Sequence, residues 1–123
     1  MSRAKARDIR IVLVTCPTLA MARKIARVVV SKRLAACVNV VRGQVEPFYT
    51  WKGKLEGGRE HLLIMKTTSK RLSELEREVK ALHSYDVPEF LVIPAVAGSK
   101  EYVQWLSGAT ARPVSEKIIR GAT

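Results

Sequence analysis

A single α+β domain is the prediction for this 123-residue chain, and three features point to it. Short apolar runs of strand length alternate with stretches of helical spacing in the order β-α-β-β-α-β, the split βαβ or ferredoxin-like sandwich. The most uniformly apolar runs, Ile11 to Val14 and Leu62 to Met65, are the first and third strands, which that arrangement puts at the centre of its sheet. The length suffices for one core and not for two, so residues 1–123 are read as one domain.

Residues 1–8 are basic and lead into the first strand without the apolar region and small-residue site of a secretory leader. Ile9 to Val14 is a nearly continuous apolar run, suited to a covered central strand. Thr15-Cys16-Pro17-Thr18 breaks it, and Leu19, Ala22, Ile25, Ala26 and Val29 then recur at helical spacing with Arg23, Lys24, Arg27 and Lys32 opposite. Thr18 as cap or Pro17 as first residue starts this helix. Next comes a long hairpin from Arg33 through Val38, Val40 and Val41 to Tyr49-Thr50-Trp51, returning through Leu62 to Thr67. Its reversal is expected at Lys52-Gly53, where glycine supplies the positive φ of a tight turn.

Ser69 is expected to cap a second helix with the stripe Leu72, Leu75, Val79 and Leu82 and a supporting Glu76–Lys80 pair. His83 to Pro88 ends that helix, because the residue before a proline is pushed from helical geometry. Phe90 to Ile93 is the fourth strand, and Ser99 to Leu106 a short C-terminal helix carrying Tyr102, Val103 and Trp105, with Gly108 as its stop. The predicted core spans about residues 9–106, and the tail 108–123 is left unassigned.

Both helices are expected on one face of the sheet, leaving the other bare. Such a face and long hairpin edges call for self-association or a ligand. A charged residue at Val40 or Ile64 is therefore expected to cost assembly and fold together.

Composition narrows the function. With 47% hydrophobic and 27% charged residues and no apolar run long enough to span a bilayer, no membrane association is expected. Cys16 and Cys37 fall in different predicted elements and are read as free thiols of a cytoplasmic protein. Twenty-two basic against eleven acidic residues leave a net charge of +11, but the cations are spread along the chain and aromatics reach only 6%. No specific nucleic-acid site is expected from that pattern. Phosphate-binding glycine loops, a nucleophile elbow and paired Cys or His at metal spacing are all missing, so catalysis is not expected.

The pieces Lys32-Arg-Leu-Ala-Ala-Cys-Val-Asn39, Tyr49-Thr-Trp51-Lys-Gly53-Lys-Leu55, Leu63-Ile-Met-Lys66-Thr67, His83-Ser-Tyr85-Asp-Val-Pro88-Glu89 and Tyr102-Val-Gln-Trp105 occur in one order over residues 9–106. In this the chain resembles the CutA family of divalent-cation tolerance proteins. The resemblance implies a ferredoxin-like fold, a homotrimer built by edge pairing of the long hairpins, and an association with copper and other divalent cations, without an established reaction. His83 matches the family's copper-binding histidine. Ser84 and Asp86 stand where the family usually has proline and glutamate, and Val14 where some bacterial members carry a metal-associated cysteine.

An imidazole is a good copper ligand, while the same residue also suits the end of the second helix as a cap. His61, within a strand, is read as a surface or interface residue. Cys16, at the start of the first helix, is either a thiol activated by the helix dipole or an inert one, and Cys37 is read as a small core residue. Trp51, Lys66, Tyr85 and Glu89 form a second constellation: either they converge in a cleft between subunits, or the aromatics pack at an interface while Lys66 and Glu89 pair. The expected function is thus trimeric divalent-cation tolerance with weak copper binding at His83. A small-ligand sensor with intersubunit clefts, and a nonspecific nucleic-acid-associated scaffold, are the alternatives.

Overall fold

Strand β1 (Ile9–Cys16) and strand β5 (Glu60–Thr68) lie side by side, antiparallel, at the centre of the sheet. The computed structural model describes residues 4–112, and the tail expectation for residues 113–123 lies outside them. Helix α1 (Leu19–Ser31) follows β1, and strand β2 (Cys37–Val45) pairs with the outer side of β5. Strands β3 (Tyr49–Trp51) and β4 (Lys54–Glu56) form a separate small ribbon. Helix α2 (Leu72–Leu82), strand β6 (Leu91–Pro94) and helix α3 (Lys100–Thr110) complete the order. With β6 on the free side of β1, the sheet reads β2-β5-β1-β6, all antiparallel, the ferredoxin-like arrangement.

Period-2 alternation sorts the sheet into two faces. Val12, Val14 and Cys16 of β1 and Leu63 and Met65 of β5 point to one side and are fully buried with Ala22, Ile25, Val29, Leu75 and Val79 of the helices. Each large apolar side chain buried in this layer contributes about 1.5–3 kcal/mol relative to exposure. Val38 and Val40 of β2 pack against the same core. The opposite side carries Leu13, Ile64 and Asn39 in one row across β1, β5 and β2, and among the described residues this row lies outside both core clusters. Helix α3 closes only the far end, where Val103 and Leu106 meet Ile9 and Ala36.

Several local readings need correction. The hairpin is not two uninterrupted strands: Val41 faces Leu62 but Val45 faces Glu60, so the ladder slips between them. Gly43, at φ +61, carries that irregularity, and its N–H donates to His61 Nδ1 at 2.8 Å. His61, read as a surface or interface residue, is half-buried and braces the bulge. The reversal does fall at Lys52-Gly53, with φ of 52 and 80, a pair of positive values that fits a two-residue primed turn.

Ser69 caps nothing. It begins a 3-10 turn, Ser69–Arg71, and no side chain caps α2. Gly108 does not stop α3, which runs on to Thr110, and the fourth strand sits one residue later than expected. The remaining boundaries follow local chemistry: Thr18 Oγ1 accepts from Met21 N at 3.2 Å, Ser99 Oγ from Tyr102 N at 3.3 Å, and Glu76 pairs with Lys80 at 2.7 Å.

Candidate functional site

The loop after α2 folds back on the end of β1, and His83 is the pin. Its N–H closes α2 on Val79 O, and its ring is buried with Nε2 at 2.7 Å from Thr15 O. A carbonyl only accepts, so Nε2 carries the proton, which leaves Nδ1 to accept from Tyr85 N at 3.1 Å. Both nitrogens of the expected copper ligand therefore have backbone partners. Among the described residues, no three His, Cys, Asp or Glu side chains are grouped to hold a metal ion.

The pinned loop aims Tyr85. Its ring tilts against His83 with centroids 4.8 Å apart, and its hydroxyl donates to Glu60 Oε2 at 2.8 Å. Glu60 opens β5 and is only 7% exposed. Thr15, Glu60, Tyr85, Asp86 and Glu89 line a cleft of about 440 Å³ whose outer wall is Pro47, Phe48, Tyr49 and Trp51 from the hairpin tip. That volume is in the range of small-ligand sites.

Trp51, Tyr85 and Glu89 therefore meet in one cleft, but Lys66 does not join them. Lys66 lies six residues along β5 from Glu60, on the same face, and its amino group bonds to Asn39 Oδ1. The expected Lys66–Glu89 pair is not formed. Sequence reasoning missed Glu60, although a signal existed: a carboxylate starting an otherwise apolar central strand is an unusual neighbour for a core.

Negative charge in the cleft is costly. Burial first, and the Glu60 carboxylate second, raise the Glu89 pKa above the ordinary carboxylate range. Burial and then the bond to Glu60 raise Tyr85 well above the usual phenol range. Cys16, fully buried at the end of β1, is pushed up to about 11 by burial and then by Glu60. The dipole-activated reading of Cys16 is thus overturned, because desolvation of a thiolate outweighs a helix terminus. Cys37 is half-buried, not a full core residue, with Sγ 3.8 Å from the Tyr102 hydroxyl.

The family profile described as "CutA1 divalent ion tolerance protein" matches residues 10–109. The chain is 45% identical over 96 residues to the divalent-cation tolerance protein CutA of Thermus thermophilus, covering 78% of this chain and 92% of that one. It is 43% identical over 100 residues to the chloroplastic protein CutA of Arabidopsis thaliana, covering 81% of this chain but 54% of the relative. Over 105 residues it is 43% identical to human protein CutA, covering 85% of this chain and 58% of that one. The chain thus spans little more than half the length of these longer relatives. Among solved structures, the Thermus thermophilus cation tolerance protein superposes with a TM-score of 0.81 at 43% identity, covering 84% of this chain and 99% of that one. A structure titled as the periplasmic divalent cation tolerance protein CutA of Archaeoglobus fulgidus superposes with a TM-score of 0.80 at 37% identity, covering 84% of this chain and 99% of that one.

Proposed function

Because the chain belongs to the CutA1 divalent ion tolerance family, we propose that it serves cation tolerance as a homotrimer, meeting divalent ions weakly at the cleft of Glu60 and Glu89. The observation that carries this is the buried Glu60, held by Tyr85 at 2.8 Å and lining the same cleft as Glu89. Two carboxylates that resist sharing a partly dry cleft gain most from a cation between them. Carboxylate oxygens suit hard divalent ions, and a cleft in which no three described carboxylate, His or Cys side chains are grouped around one point makes for low affinity.

Copper binding at His83 belongs to the same proposal in its weaker form. The ring reaches a metal only by releasing Thr15 or Tyr85, at about 1 kcal/mol or more for each hydrogen bond lost. The trimer is supported by the uncovered sheet face and by the exposed edge strand β6, whose Leu91, Val92 and Ile93 are 60%, 40% and 45% exposed. A cytoplasmic setting is supported by the two free cysteines. Among the described residues, no helix is long and apolar enough to cross a membrane. The role is one of binding and calls for no reaction.

Calorimetric titration with Cu²⁺, Zn²⁺ and Mn²⁺ tests the reading. The wild type should show weak saturable binding that Glu60→Gln and Glu89→Gln abolish for all three ions, and that His83→Asn reduces for copper alone. Binding unchanged in both glutamate variants would sink it. The aromatic wall supports a second reading, a sensor of small organic cations, since ammonium groups are held over aromatic faces. Thermal stabilisation by an organic ammonium and by no metal would favour that one.

A further inference from the structure

The end of the sheet remote from the acidic cleft holds a larger cavity of about 610 Å³, built where three segments distant in sequence meet. The stretch Ala4–Asp8 before β1, the turn Ser69–Arg71 opening α2, and the last turn of α3 form its walls. Five cationic side chains line it, Lys5, Arg7, Lys70, Arg71 and Arg112, against two carboxylates, Asp8 and Glu74.

The carboxylates are already engaged. Glu74 Oε1 receives Arg71 at 3.1 Å and Arg112 at 3.3 Å, and Asp8 Oδ2 accepts from the Lys5 backbone N–H at 3.2 Å. The side chains of Lys5, Arg7 and Lys70 have no ion-pair partner among the described residues. Arg71 is held rigid by Nε and Nη2 bonds to the carbonyls of Arg33 and Lys32, at 3.2 and 3.3 Å. The first turn of α2 reaches the cavity with no side-chain cap, so the positive end of that helix adds to the field.

We propose that this cavity is a binding site for a compact anion carrying two or more linked phosphate groups. Three cations without an ion pair among the described residues, set around one concavity, match several negative charges rather than one, and lysine and arginine together suit phosphate oxygens. A cavity of this volume admits a short polyphosphate or the phosphate chain of a nucleotide.

Calorimetry at physiological salt with inorganic tripolyphosphate, ATP and a duplex oligonucleotide, all without metal, tests the assignment. The expected result is saturable binding of tripolyphosphate at one site per chain. A Lys5→Ala/Lys70→Ala variant, altered only at exposed side chains, should weaken it about tenfold or more, as loss of charge-assisted hydrogen bonds requires. Lys52→Ala, at the hairpin tip, should leave it unchanged. Equal affinity for ATP and tripolyphosphate means that the phosphate chain alone is recognised, and tighter ATP binding means that the same site also holds the nucleoside; both support the proposal. No saturable binding of either small anion, binding of the duplex alone, or equal losses in the Lys52→Ala control would overturn it.

Discussion

His83 occupies a position with two chemical demands on it. A metal ligand needs a lone pair directed into open space, whereas here one ring nitrogen donates to Thr15 O and the other accepts from Tyr85 N. These bonds hold the loop that presents Tyr85 to Glu60, so the imidazole acts on the cleft by positioning its walls. His83→Ala should therefore cost about 1–3 kcal/mol in denaturant unfolding, since a part-buried carbonyl and a part-buried amide lose the ring that bonds them. Wild-type stability in that variant would mean that the ring braces nothing.

Cys16 gives the molecule a signature at alkaline pH. Its folded pKa of about 11 lies above the ordinary thiol value of 9.0. Between those values the unfolded chain has lost a proton that the folded one keeps, so stability is intact below the lower value and falls as pH rises towards the upper one. Tyr85, also raised, adds a slope of the same sign from higher pH. Unfolding free energies measured from pH 8 to 11 should decline less steeply in Cys16→Ala than in the wild type. In the same molecule, the half-buried Cys37 should react with a thiol reagent well before Cys16. Parallel pH slopes in the two proteins would contradict the burial argument.

Among the elements, the hairpin matters most. Its base, β2 against β5, belongs to the main sheet, while the tip β3–β4 stands apart as a ribbon exposing Phe48 and Leu55 at 73% and 74%. One consequence separates two residues that the sequence treats alike. Val40 faces the helices and packs on the core; Ile64, beside Leu63 and Met65 in β5, faces the other way. Val40→Asp should destabilise the chain by more than about 2 kcal/mol, the cost of an unpaired charge in a packed layer. Ile64→Asp should leave the fold and remove the association. Circular dichroism melting and light scattering on the two variants separate the outcomes; loss of fold in both would restore a shared role.

For the whole molecule, charge and apolar surface divide the labour. Glu60, Asp86 and Glu89 gather at one end of the sheet and five cations, with two carboxylates among them, at the other, while the bare face and the β6 edge lie between. An unpaired edge with Leu91 and Ile93 exposed is a template for a second chain. Size-exclusion chromatography with light scattering should give three chain masses for the wild type. Leu91→Lys/Ile93→Lys should give one, with an unchanged far-ultraviolet spectrum. A wild-type mass of one chain would remove the trimer from the proposed function.

Much of this architecture was legible from residue order. Apolar periodicity set the two central strands and the buried stripes of α1 and α2, while Thr18 and Lys52-Gly53 announced their cap and turn, because each of these signals acts over a few neighbouring residues. Ser69 and Gly108 misled because a local preference yields when the surrounding chain continues another way. The cleft was half legible: Trp51, Tyr85 and Glu89 do meet, but Glu60 entered and Lys66 left. Those outcomes turned on convergence. Tyr85 meets Glu60 across 25 residues and His83 meets Thr15 across 68, and the basic cavity joins the first strand's approach to the last helix's end. No short-range pattern encodes such encounters; sheet order, strand register and the face each side chain takes decide them, and these exist only once the chain is folded.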